Sequence, residues 1–121
     1  MKKILVVDDD AMNLKMAEFI LKQKGYEITK VSSGMEAVDF LKENPQDLVL
    51  LDIEMPMMNG IKTLELIRSN EEMKDVLVMF LSASVDPETE AKAESLGAVG
   101  YVKKPFLPAN LQAEVARVLG E

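Results

Sequence analysis

The 121-residue chain contains no cysteine and no histidine. Without cysteine there is no disulfide framework and no thiol nucleophile, so stability must rest on an ordinary hydrophobic core. Without histidine, the Ser-His-Asp and Cys-His modes of nucleophile activation are excluded, as is the usual zinc site of imidazole and thiolate. Basic residues are outnumbered, with 14 Lys and Arg against 21 Asp and Glu, a net charge of −7. That balance argues against a nucleic-acid partner, whose affinity comes from cations neutralising phosphates. Lys22, Lys24 and Lys30 are too few and too interspersed with acids to form a patch. Long apolar runs are missing too. Ile4 to Val7, behind Met1-Lys2-Lys3, stops at Asp8, and no run approaches the roughly 18 residues of a membrane span. A cytosolic setting is the simplest expectation. What remains is oxygen and ammonium chemistry, which suits hard cations such as Mg²⁺ and phosphoryl or acid/base work.

The length suits one domain with one core, and no linker or internal repeat divides it. Short apolar runs alternate with stretches of helical periodicity. Ile4 to Val7 reads as a strand, and Asp10 as the cap of a helix with Leu14, Ala17 and Leu21 inward and Gly25 as its stop. Tyr26 to Val31 alternates like a strand; Gly34 to Glu43 carries Ala37 and Leu41 on one side, a helix before Pro45. Leu48 to Leu51 is an apolar strand ending at Asp52, and Ile53 to Asn59 is turn material before a helical face of Ile61, Leu64 and Ile67. Val76 to Leu81 is the longest apolar run, bounded by Ser82. Asp86-Pro87 opens a helix to Leu96 in which Glu88, Glu90, Lys92 and Glu94 leave mainly alanines to pack, so it should be the least firmly anchored. Gly100 to Lys103 makes a last strand, and Pro108 starts a closing helix with Leu111, Val115, Val118 and Leu119 inward.

Five beta-alpha units in a row predict an α/β fold, a mostly parallel sheet covered on both faces by helices. Ligands bind such open sheets at the carboxyl ends of the strands, where the winding reverses. There the chain places Asp8, Asp9 and Asp10 after the first strand, Asp52 after the third, Ser82 after the fourth and Lys104 after the fifth. Asp8, Asp9 and Asp52 repel one another unless a divalent cation or a proton relieves them, and Mg²⁺ is the natural occupant. Asp10 reads instead as a helix cap. An aspartate can itself be a nucleophile that forms an acyl phosphate. Phosphoryl transfer then needs the charge on the equatorial oxygens neutralised, and a metal, the Lys104 ammonium and the Ser82 hydroxyl suffice. Met55, Met57 and Met58 could suggest thioether ligation of Cu(I), but loop packing around Pro56 is the preferred reading. Most other charges read as solvated surface.

The segments Ile4 to Asp9 (ILVVDD), Leu50 to Gly60 (LLDIEMPMMNG), Leu81 to Ala83 (LSA) and Gly97 to Phe106 (GAVGYVKKPF), in this order and spacing, resemble the receiver domain of two-component response regulators. The chain looks most like the free-standing chemotaxis-type members, over essentially its whole length. The resemblance implies a single receiver domain over residues 1–121. Its fold would be flavodoxin-like and doubly wound, a five-stranded parallel sheet of order 2-1-3-4-5 with five helices. It implies Asp52 as phosphoacceptor, Asp9 as a direct Mg²⁺ ligand, Asp8 as a supporting acid acting through water, and the Glu54 backbone carbonyl as a further ligand, with Mn²⁺ as a substitute ion. Lys104 would pair with the phosphoryl group and precede Pro105 in a cis peptide, while Lys103 would have no such role. Ser82 and Tyr101 would be the switch pair: Ser82 drawn to the phosphoryl oxygens, Tyr101 turning into the vacated space, and the face of the fourth helix, fifth strand and fifth helix reporting the change. Glu54 and Ser84 would influence acyl-phosphate lifetime.

The implied partner is a sensor histidine kinase or histidine phosphotransfer protein, since a chain without histidine cannot donate phosphohistidine itself. A small-molecule donor is the other source. Neither nucleic acid nor membrane is a direct partner, and the molecule would be a monomer or a phosphorylation-promoted dimer. As an enzyme it would at most catalyse its own phosphorylation and dephosphorylation. Three other readings compete. A haloacid-dehalogenase-type Mg²⁺ phosphatase would use Asp8 as nucleophile, but leaves Asp52 and Lys104 unexplained and has no room for a cap. A flavodoxin-like FMN binder needs Gly, Ser and Thr around its phosphate, where this chain has three aspartates. A receiver-like module binding partners without phosphorylation keeps the same side chains to no chemical purpose.

Overall fold

The computed structural model describes residues 1–83 and 86–121; Ser84, named above as a flanking residue, lies outside the described residues. Ten elements alternate as β1 (Lys3–Val7), α1 (Ala11–Lys22), β2 (Glu27–Val31), α2 (Gly34–Glu43), β3 (Leu48–Asp52), α3 (Gly60–Ser69), β4 (Leu77–Ser82), α4 (Pro87–Ser95), β5 (Tyr101–Lys103) and α5 (Pro108–Leu119). All adjacent strands pair in parallel, in the order β2-β1-β3-β4-β5. The expected doubly wound architecture is therefore present, with element ends within a residue or so of those read from periodicity.

The central strands are continuous apolar runs because both faces of the sheet are covered. Their side chains alternate with period two. Ile4, Val6, Leu48, Leu50, Met79 and Leu81 meet Leu14, Ala17 and Leu21 of α1 and Leu111 and Val115 of α5. Leu5, Val7, Val49, Leu51, Val78 and Phe80 meet Ala37, Leu41, Leu64, Ile67 and Ala93 from α2, α3 and α4. Val118 and Leu119 are only partly buried against the first of these cores.

Each helix starts where a short polar side chain or a proline suits it. Asp10 Oδ1 accepts from the Met12 and Asn13 amides at 2.8 and 3.4 Å. Ser33, Asn59 and Asp86 cap α2, α3 and α4 in the same way. Pro108 opens α5 behind Leu107, which makes no side-chain cap. These caps sit at the carboxyl edge of the sheet, so they tie the loops of that edge down. Gly60 is required there, because a Cβ would collide with the Asp52 carbonyl oxygen and the Ile53 backbone. That close approach folds the β3–α3 loop back over the end of β3, where the Gly60 amide donates to the Ile53 carbonyl at 2.8 Å. As anticipated, α4 is the least anchored helix, with Ala93 its one buried residue among those described.

Candidate functional site

Sheet register builds the site. Val7 lies opposite Leu51, so Asp8 and Asp52 leave the ends of the adjacent strands β1 and β3 side by side. Asp52 pairs with Leu81 and Ser82 with Lys103, which brings the ends of β4 and β5 to the same edge. Asp8 is fully buried and Asp52 is 2% exposed, whereas Asp9 is open to solvent. One carboxylate oxygen from each of the three lies within 4.8 Å of the others. Asp8 Oδ1 accepts the Asp10 amide at 3.0 Å, which fixes the carboxylate, and its Oδ2 lies 2.9 Å from Lys104 Nζ. The same ammonium is 3.0 Å from Asp52 Oδ1, which also accepts the Glu54 amide at 3.2 Å. Lys104 is itself positioned by its amide, which donates to the Ser82 carbonyl at 2.9 Å.

The electrostatics follow from two buried acids sharing one base, with the exposed Asp9 beside them. Burial pushes the Asp52 carboxyl up to about 6, and the charge of Asp8 adds to the rise against the opposing pull of Lys104 and the Glu54 N–H. Burial by itself would lower the Lys104 ammonium, but hydrogen bonds and charge from Asp8 and Asp52 hold it above its ordinary value. With three carboxylates against one ammonium, the site carries excess negative charge at neutral pH. Its donors are hard oxygens without imidazole or thiolate, a set that fits Mg²⁺.

The residues expected as acceptor, metal-binding acids and lysine are thus brought together. The Glu54 side chain is exposed, and its amide is the group seen at Asp52. Ser82 is buried at the end of β4, two per cent exposed. The Lys104–Pro105 peptide is cis. Lys103 is exposed. Tyr101 faces α4: its ring stacks on Phe80 with centroids 6.2 Å apart, and its hydroxyl donates to the Glu90 carbonyl at 3.0 Å. Burial, and then the charges of Glu90 and Glu94, raise its pKa.

The methionines divide. Met55 is buried in the core, while Met57 is fully exposed with φ +68, so the trio does not converge as a thioether site. One residue read as solvated surface is not. Arg68 donates hydrogen bonds to four backbone carbonyls from two loops. Nothing in its sequence position at the end of α3 signals partners up to 29 residues away.

Comparison with known proteins agrees with this geometry. The family described as "Response regulator receiver domain" matches residues 4–116. The chain is similar to the polar-differentiation response regulator DivK of Brucella ovis, 27% identical over 120 residues that cover 99% of this chain and 98% of that protein. Among solved structures it is similar to the chemotaxis protein CheY4 of Vibrio cholerae, with a TM-score of 0.92, 30% identity and 98% of each chain covered. It is also similar to the receiver domain of the sensor histidine kinase PA1611 from Pseudomonas aeruginosa, with a TM-score of 0.88, 29% identity and coverage of 99% and 98%. That receiver domain holds a magnesium ion coordinated in its active-site cleft.

Proposed function

The chain belongs to the response regulator receiver domain family of two-component signalling, and on that premise we propose that Asp52 accepts a phosphoryl group from a partner's phosphohistidine. The donor is a sensor histidine kinase or a histidine phosphotransfer protein. The observation that carries this reading is the position of Lys104 Nζ, 3.0 Å from Asp52 Oδ1 and 2.9 Å from Asp8 Oδ2 in a buried acidic cluster.

Asp52 is the nucleophile. Its carboxylate oxygen forms the new bond to phosphorus, the phosphorus–nitrogen bond of the donor breaks, and the imidazole leaves with the electron pair. The amide of Glu54 and the ammonium of Lys104 hold the carboxylate in place. Once the acyl phosphate exists, Lys104 pairs with one phosphoryl oxygen and the Ser82 hydroxyl donates to another. Asp8, Asp9, Asp52 and the Glu54 carbonyl would hold Mg²⁺, or Mn²⁺ in its place. When bound, that ion neutralises charge on the phosphoryl oxygens and screens the acids from one another. As Ser82 moves toward the phosphoryl group, Tyr101 turns inward and gives up its bond to the Glu90 carbonyl. The face of α4, β5 and α5 thereby changes for a downstream partner.

Incubation with Mg²⁺ and phosphoramidate, followed by intact mass and peptide analysis, tests this. One phosphoryl adduct is expected on Asp52 of the wild type, and none on Asp52→Asn or in the presence of EDTA. An adduct on Asp8 instead, or none where a control receiver labels, would overturn it.

A further inference from the structure

Among the described residues, the ties of helix α4 to the rest of the molecule gather at its C-terminal end. Its buried residue, Ala93, lies in its last turn, and Leu96 and Ala98 just beyond pack against the same core. Lys92 reaches Glu65 of α3 at 3.5 Å, an exposed pair that contributes little. The firm tether is Arg68, in the last turn of α3. Its Nε donates to the Leu96 carbonyl at 2.6 Å and its Nη2 to the Gly97 carbonyl at 3.3 Å. Its Nη1 donates to the carbonyls of Lys74 and Val76 at 2.8 and 2.7 Å. One half-buried guanidinium therefore closes two loops, residues 70–76 and 96–100, and among the described residues no carboxylate lies at ion-pair distance to compete for it. Hydrogen bonds from a charged donor are roughly twice as strong as neutral ones. Arg117 of α5 adds a longer bond, 3.4 Å, to the Val99 carbonyl.

The other end of the helix differs. Asp86 caps it by accepting from the Thr89 amide and hydroxyl at 2.8 and 3.1 Å, bonds local to its own first turn. Pro87 and Glu88 are exposed. Between the two ends the Tyr101 hydroxyl donates to the Glu90 carbonyl, the one side-chain hydrogen bond to the middle of the helix from another element among the described residues. This N-terminal end follows β4 in the chain, and β4 ends at Ser82.

We propose that Arg68 is a positioning residue that pins the C-terminal end of α4, so that the helix responds to the site as a lever, its N-terminal half swinging about the pinned end. The trigger of that swing rests on the phosphoryl reading above; the pin does not. Moving residues 96 and 97 would break the two charged hydrogen bonds from Arg68, whereas, among the described residues, moving residues 87–90 breaks the Tyr101 bond. Nine residues make a lever about 13 Å long, and a swing of about 10° displaces its far end by about 2 Å.

Amide hydrogen exchange tests both parts. The Gly97, Ala98 and Val99 amides, bonded to the carbonyls of Glu94, Ala93 and Val78, report the pin. With Mg²⁺ and phosphoramidate, and the adduct confirmed by mass, exchange at Glu90, Ala91 and Lys92 should change by about fivefold or more while those three amides change less than about twofold. Arg68→Lys keeps the charge but not the planar fork. Without phosphodonor it should speed exchange at Gly97 to Val99 by about tenfold and leave β1 and β3 amides unchanged, which also shows that the variant is folded. Equal change at both ends on phosphorylation, or none at either, overturns the lever; unaltered protection of Gly97 to Val99 in Arg68→Lys overturns the pin. If no adduct forms, the swing falls with the phosphoryl reading, and the Arg68→Lys comparison still decides the pin. Should that variant not fold, the wild-type comparison of the two ends decides.

Discussion

Replacing Asp52 with Asn should make the metal-free protein more stable. The Asp52 carboxyl is raised from 3.8 to about 6, first by burial and then by the charge of Asp8. One pKa unit corresponds to about 1.4 kcal/mol, so holding this group ionised at neutral pH costs the fold at most about 3 kcal/mol. That figure already contains the favourable contacts with Lys104 and the Glu54 amide. Asparagine preserves the shape, and its carbonyl can still accept from Lys104, though more weakly than a charged acceptor. The net gain is then about 1–3 kcal/mol. Unfolding entropy near 2.1 cal/mol/K per residue converts this to a rise of about 4–12 °C in Tm for a chain of 121 residues.

The pH dependence gives a second, independent signature. A group whose pKa is higher in the folded state contributes stability that is fully present below its unfolded value and is lost as pH rises through its folded value. For Asp52 the loss runs from about pH 4 to just above 6. Glu18, held low by Lys30 and Lys22, and Asp86, held low by the Thr89 amide and hydroxyl, act in the opposite sense, but only as pH falls below the ordinary carboxylate range. Melting curves in EDTA between pH 5 and 8 therefore isolate Asp52: the wild type should lose stability across the window and Asp52→Asn should be flatter. Added Mg²⁺ should raise the wild-type Tm and narrow the gap, by about 2.7 kcal/mol at a hundred times Kd. An Asn variant that melts no higher than wild type at pH 7.5, or that shows a parallel slope, would refute the electrostatic account of the site.

Lys104→Met removes the one cation shared by two buried acids, and should cost about 3 kcal/mol at pH 8 but less at pH 5.5, where Asp52 is protonated; urea titrations at the two pH values measure the difference. Met57 is fully exposed at φ +68, so Met57→Asn, which suits the left-handed region and gives up no packing, should stabilise by about 1 kcal/mol in the same assay. Tyr26 is pushed up to about 12 by burial and by its 2.6 Å hydrogen bond to Glu121. Its contribution to stability is present below the unfolded value near 10 and lost between about pH 10 and 12. Melting curves over that range should therefore fall more steeply for wild type than for Tyr26→Phe.

The strands were legible because a parallel sheet covered on both faces demands uninterrupted apolar runs, and Ile4 to Val7, Leu48 to Leu51 and Leu77 to Leu81 supply them. The site was legible for a related reason. In this topology the residues at or just past the end of each strand are delivered to one edge, so Asp8, Asp52 and Ser82 could be placed together without knowledge of any contact. Other features depend on distances that periodicity does not encode. Lys104 meets Asp8 across 96 positions of sequence, and only the fold shows that one ammonium serves both acids. Arg68 has the sequence signature of a basic residue closing a helix, and its guanidinium bonds are to backbone carbonyls, which carry no residue-type signal. The poor amphipathicity of α4 pointed to its weak anchoring, but not to the gathering of that anchoring, among the described residues, at one end.

The raised Asp52 pKa also bears on the acceptor role proposed for it. A more basic carboxylate is a better nucleophile, since nucleophilicity and leaving tendency follow basicity in Brønsted fashion, yet a carboxyl that stays protonated at working pH is no nucleophile at all. In the metal-free site a value of about 6 lies between the two limits: at pH 7 the ionised form is favoured about tenfold, while its basicity exceeds that of an exposed aspartate by about two pKa units. In the proposed acceptor role, desolvation and the neighbouring Asp8 would supply reactivity by the same physics that destabilises the resting fold. Lys104 sets the limit of that trade. Without its bond to Oδ1 the pKa would climb further and the carboxylate would be lost to protonation near neutrality. On this argument Lys104→Met should impair phosphorylation by phosphoramidate more at pH 6.5 than at pH 8.5, even though its loss of stability is greater at the higher pH. The opposite trend in initial rates would show that Lys104 acts on the transferred group alone and not on the ionisation of Asp52.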